Sequence, residues 1–142
     1  VAAVPEGLIL TLDTNPPAEF QQELGNAIVA FMAETVPGRA DRFAIRLEAA
    51  DGTLVGGLGG WLYWDWLFVA ALWVHRDHRG QGAGRALLAA AERHAAAAGC
   101  HSVWLDTFQA SGFYEKLGYS VFGLLEDYPK GQARAFMRKR IG

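Results

Sequence analysis

The stretch HRGQGAGRALLAAAERHAAAAG, residues 78 to 99, sets Gly80, Gly82 and Gly84 at alternate positions directly against an alanine- and leucine-rich helix. A helix leaves its first four backbone N–H groups without intrahelical partners and carries a partial positive charge at that end, which together make an anion site. Side chains on the preceding loop would block close approach, so glycines let a phosphate reach the amides. Arg79, just before the run, and Arg85, in the first helical turn, add guanidinium donors suited to phosphate. Taken alone, a Gly-x-Gly-x-Gly run equally describes a flexible loop capped by a helix, with Arg79 merely solvated. The helix itself, Gly84 to Ala98, places Leu87, Leu88, Ala91, Ala95 and Ala98 on one face and is closed by Gly99.

Around this segment the pattern alternates between helical and strand periods. LILTL (8 to 12) has strand length and precedes the breaker DTNPP. From Pro17, Phe20, Leu24, Ala27, Ile28, Phe31 and Met32 recur at helical steps until Pro37-Gly38. RFAIRLE (42 to 48) alternates Phe43, Ile45 and Leu47 with charged residues, and Asp51-Gly52 supplies a hairpin turn. A strand from Thr53 through LVGGLGGWLYW turns at Asp65 into WLFVAALWV, which is apolar on both faces and so expected at the sheet's centre. Beyond the long helix come a strand at 102 to 107, a short helix at 110 to 118, a strand at 119 to 125, a turn cluster and a final strand at 133 to 139. The order β-α-β-β-β-α-β-α-β-β implies an α+β class, α/β in a looser scheme, with a mixed sheet.

Composition narrows the function classes. With 142 residues, 51% of them apolar, the chain is expected to form one domain, 1 to 142. A net charge of -2 argues against a basic face for nucleic acid. The lone Cys100 rules out an internal disulfide framework and fits a reducing compartment, the cytoplasm. The longest apolar run, Trp61 to Val74, is broken by Asp65 and is too short to span a membrane, and no basic-then-apolar leader opens the sequence. His75 and His78 lack further ligands for zinc, so no metal is expected and both read as solvated loop residues. His75-Arg76-Asp77 matches a kinase catalytic loop in letters only, since no Asp-Phe-Gly follows.

Two motifs together carry a family resemblance. Val74 is followed after four residues by Arg79, then Gly80, Gly82 and Gly84; this spacing resembles the pyrophosphate loop of the GNAT superfamily of N-acetyltransferases, with Arg79, Gly82 and Gly84 in its defined positions. GFYEKLGY (112 to 119) is similar to that family's downstream motif, in which a tyrosine lies near the thiol of coenzyme A. The order of elements agrees with the family fold, a mixed, mostly antiparallel sheet flanked by helices. A Rossmann nucleotide site is the nearest rival, with Asp106 about 20 residues beyond the glycines, but the glycine spacing, the long gap after Val74 and the flanking hairpins disfavour it.

The resemblance implies an acetyl-CoA-dependent N-acetyltransferase acting by direct attack of a primary amine in a ternary complex. It places the pyrophosphate on Arg79, Gly80, Gln81, Gly82, Ala83, Gly84 and Arg85, and the pantetheine arm along the main chain of Leu72, Trp73 and Val74. Tyr114 matches the position of the donor to the departing thiolate, since a phenol stays protonated at neutral pH. Many members deprotonate the amine with a glutamate on the central strand, but LFVAALWV holds no carboxylate. Asp65 is the first substitute, with Glu48, Asp106 and His75 behind it. Thr107 stands where the family often has asparagine, with Gln109 nearby. Cys100, with no recognisable base, is expected to be a packing residue.

The missing carboxylate also motivates a second reading, a noncatalytic acyl-CoA-binding sensor or assembly module. The acceptor class is a small-molecule or peptide amine. Trp61, Tyr63, Trp64 and Trp66 are expected mainly in the core, with an acceptor pocket or a homodimer surface as the other uses for such a cluster.

Overall fold

The computed structural model describes residues 3 to 142, in two compact units divided after Gly38. The N-terminal unit contains helix α1, Ala18–Ala33. Pro17 stands at its N-cap, where a missing N–H costs nothing, and Phe20, Leu24, Ile28 and Phe31 are exposed along it. The expected strand at 8 to 12 is absent: Leu8, Ile9, Leu10 and Leu12 are exposed and belong to no ladder. A short apolar run is necessary for a buried strand but does not supply the neighbour whose N–H and C=O groups complete it.

The second unit, Arg39–Gly142, holds six strands and two helices. In chain order these are β1 (Asp41–Glu48), β2 (Leu54–Tyr63), β3 (Trp66–Val74), α2 (Ala83–Ala97), β4 (Ser102–Thr107), α3 (Ser111–Glu115), β5 (Ser120–Glu126) and β6 (Ala133–Arg140). The sheet runs β1-β2-β3-β4-β6-β5, antiparallel throughout except for β3 beside β4. That one parallel pair follows from connectivity, because α2 carries the chain back across the sheet before β4 begins. Apart from the missing first strand, the elements and the mixed sheet are those expected from the sequence.

Leu87, Leu88, Ala91 and Ala95 of α2 meet Leu58, Leu62, Leu67, Val69, Val103, Leu105 and Met137 on one sheet face. Leu67, Leu88, Val103, Leu105 and Met137 are almost wholly enclosed, and Cys100 packs in the same cluster. None of Trp61, Tyr63, Trp64 and Trp66 belongs to that core, contrary to expectation. Leu58 and Leu62 take the core side of β2, so alternation turns Trp61 and Tyr63 to the opposite face, while Trp64 and Asp65 form a turn at positive φ. There Trp61, Phe68 and Trp104 lie opposite one another on successive strands, with ring centroids 4.7 and 4.2 Å apart.

Strand β3 is irregular in a way that opens the sheet. Gly59 pairs with Ala71 and Gly60 with Val69, leaving Ala70 as a bulge. The inward side of β3 therefore changes parity, from Leu67 and Val69 before the bulge to Leu72 and Val74 after it. Pairing with β4 stops at Phe68–Trp104, and from there the two strands diverge into a fork.

Candidate active site

The fork and the glycine loop frame a cleft of about 330 Å³, lined on one side by Leu72 and Val74, on another by residues from His78 to Arg85, and on the third by Ala110, Phe113 and Tyr114. Gly80 and Gly82 adopt positive φ, +74 and +86 degrees, and have open space where a Cβ would stand. Both conditions favour glycine: the backbone is left-handed there and the approach to the helix is clear. Gly82 is the N-cap of α2, and the first intrahelical bond is donated by the Ala86 N–H to the Gly82 carbonyl. The amides of Ala83, Gly84 and Arg85 are thus the helix's unpaired donors, at the cleft wall. Gly84 has another role, because a Cβ there would lie 3.2 Å from Phe113 Cζ.

Main-chain groups of β3 divide by side. The His75 N–H donates to the Val55 carbonyl, so alternation turns Trp73 towards β2 and Leu72 and Val74 towards the fork. Arg79 Nε donates to the Val74 carbonyl at 2.9 Å. The expected trio Leu72, Trp73 and Val74 is accordingly reduced: Trp73 lies outside the cleft and its main chain serves the β2–β3 ladder. What faces the fork is the Leu72 N–H and C=O and the Val74 N–H.

Tyr114 lies at the other side of the cleft, buried, with its ring 5.0 Å from Phe113 and 5.7 Å from Tyr119. Burial, and secondarily the charge of Asp106, raise its pKa above the ordinary 10.0. The hydroxyl stays protonated at neutral pH and is able to donate a hydrogen bond. Burial likewise raises the Cys100 thiol above 9.0, with Asp65's charge second, which suits a packing residue and not a nucleophile.

Several expected site residues stand elsewhere. Asp65 is at the opposite end of β3, where its carbonyl accepts the His101 N–H; about 23 Å of strand separates it from Leu72. That distance removes it as a base for chemistry in the cleft. Thr107 does not line the cleft, and its Oγ1 accepts the Ala110 N–H at 3.3 Å, holding the turn into α3. Gln81 is an exposed loop residue outside the lining. His75 Nδ1 accepts the Asp77 N–H. Sequence reasoning missed Ala110, Phe113 and the bulge at Ala70; the only trace of the last is the glycine pair opposite it, where a Cβ on Gly60 would stand 2.2 Å from the Phe68 carbonyl oxygen.

Unpaired helix amides, a narrow cleft beside a free strand edge and a buried phenol are a fit for a long thioester carrying a diphosphate. Residues 11–119 match the model of the acetyltransferase (GNAT) family. The chain belongs to that family. The acetyltransferase is 45% identical over 93 residues to blasticidin-S acetyltransferase of Streptomyces morookaense, covering 63% of this chain and 68% of that one. It is 32% identical over 128 residues to an acetyltransferase of Agrobacterium fabrum, covering 87% and 93%. A crystal structure of an acetyltransferase from Bacillus cereus superposes with a TM-score of 0.78 at 29% identity, over 92% of this chain and 97% of that chain. The acetyl donor that goes with this family is acetyl-CoA. Among the described residues no helix of the acetyltransferase is long and apolar enough to cross a membrane.

Proposed function

We propose that this acetyltransferase moves the acetyl group of acetyl-CoA to the primary amine of a small molecule, by direct attack with both substrates bound. The observation that carries the reading is the cleft itself, with the free amides of Ala83, Gly84 and Arg85 at one side and the Tyr114 phenol at another. In this reading the amides, with Arg79 and Arg85, hold the diphosphate. Leu72 and the Val74 N–H pair with the amides of the donor's arm as an added strand would. Tyr114 donates to the sulfur as the C–S bond breaks, and no covalent nucleophile is needed.

The likeness to blasticidin-S acetyltransferase supports a small-molecule acceptor over a protein one. The test is thiol release with acetyl-CoA across a panel of amines: blasticidin S, other aminated antibiotics, polyamines and lysine peptides. Turnover is expected with a small-molecule amine. Turnover with the peptides alone would overturn the acceptor class, and binding of acetyl-CoA with no turnover on any amine would favour the noncatalytic acyl-CoA module.

A further inference from the structure

The transfer chemistry requires the ammonium of the acceptor to lose a proton before attack, yet β3 offers no carboxylate and Asp65 is too distant. The topology supplies another. Pairing of β3 with β4 ends at Phe68–Trp104, and Asp106 stands on β4 two residues beyond that end, where β3 bulges at Ala70. Asp106 alternates with Val103 and Leu105, which face α2, and so projects on the aromatic face of the sheet with Trp104. The cleft described above opens on the α2 side, and an amine arriving over the aromatic face would meet it at the fork.

The side chain is held in place. Asp106 Oδ1 accepts from Arg134 Nη1 at 2.7 Å, and the Arg134 guanidinium lies 4.3 Å from the Tyr128 ring centroid. Oδ2 has no hydrogen-bond partner among the described residues. Of the other carboxylates, Glu48 is on the edge strand β1, two strands from the fork, and both oxygens of Glu92 are taken by Tyr119 and Lys139.

We propose that Asp106 is the catalytic base that takes a proton from the acceptor's ammonium at the fork. The inference rests on the acetyl-transfer reading. Of the two protons the ammonium gives up, the first passes to Asp106 and on to water, freeing the nitrogen lone pair to form the C–N bond. The C–S bond breaks with its electron pair on sulfur, which takes the Tyr114 proton, and the second proton from nitrogen restores the phenol.

The experiment uses an amine that the wild-type chain acetylates and compares it with Asp106→Asn. At pH 7 the variant's kcat/KM for the amine is expected to fall roughly 100-fold. The deficit should narrow as pH rises towards the amine's own pKa, where the free base no longer needs Asp106, and the Kd for acetyl-CoA should stay unchanged. Asp106→Glu should recover part of the loss. Full activity in Asp106→Asn, or a deficit that does not vary with pH, overturns the assignment while leaving the transfer reading standing. A wild-type chain that acetylates no amine overturns both. If Asp106→Asn unfolds because Arg134 loses its partner, Asp106→Asn/Arg134→Met removes both charges and is read against Arg134→Met in the same way.

Discussion

At the residue scale, the cleft depends on a few side chains and on two that must be absent. Tyr114 is held protonated chiefly by burial, so in the proposed reaction its part is donation and its loss should be felt in turnover. Tyr114→Phe is expected to lower kcat by roughly 100-fold while calorimetric affinity for acetyl-CoA stays within about twofold; equal turnover would remove the phenol from the chemistry. Gly82 sits at φ +86 degrees with nothing within 4 Å of a Cβ position. Valine there would both strain the N-cap and fill the approach to the amides, so Gly82→Val should abolish measurable acetyl-CoA binding in a chain that still gives a folded circular-dichroism spectrum. The loop's arginine and glycines were legible because they act locally. Trp73 and Thr107 entered the site through the family resemblance, and hydrogen bonds to β2 and to the Ala110 amide claim them instead.

At the scale of elements, the irregularity of β3 matters most. A regular β3 would keep pairing with β4 beyond Phe68, and no fork would exist. Gly60 permits the bulge, because its partner strand leans to within 2.2 Å of where a Cβ would stand. Gly60→Ala should therefore cost about 1 to 3 kcal/mol, read as a lower urea midpoint with an unchanged slope. A second device joins α2 to the elements that carry Tyr114: the Tyr119 hydroxyl donates to Glu92 Oε2 at 2.9 Å and Lys139 Nζ to Oε1 at 2.8 Å. It fixes the helix whose first turn offers the amides against the strand that follows α3. Sequence periodicity located α2, α3 and every strand of the sheet, but could not show that Glu92, Tyr119 and Lys139 converge, since their separations in sequence reflect crossovers and not a repeat.

For the whole molecule, buried titratable groups set an alkaline limit. Burial and the neighbouring Glu92 carboxylate push the Tyr119 phenol above 10.0, and burial raises Cys100 above 9.0. In both cases the folded chain holds its proton more tightly than the unfolded one. The stabilisation is complete below the unfolded value and is lost as pH climbs past it. The urea midpoint should fall as pH rises above about 9, and Tyr119→Phe should flatten that fall above about pH 10. Ligand linkage gives a second test at this scale. Acetyl-CoA at about 100 times its Kd adds about 2.7 kcal/mol if it binds only the folded state. A rise of several degrees in Tm follows for a domain of this size, with no rise from NAD.

The amino-acid order by itself determined what is settled within a turn or a strand: the glycine loop with its free helix amides, the period-two strands, and the GFYEKLGY segment that presents Tyr114. Each depends on neighbours a few residues apart, where backbone geometry translates spacing directly into position. Tertiary structure alone decided that the stretch at 8 to 12 stays out of the sheet, that Trp61 and Trp104 stack with Phe68 on its second face, and that Asp65 lies a strand's length from the cleft while Asp106 lies just past the end of β3–β4 pairing. Those outcomes depend on strand register and on one bulged residue, which are fixed by packing between segments distant in the chain and leave no period in the sequence to read.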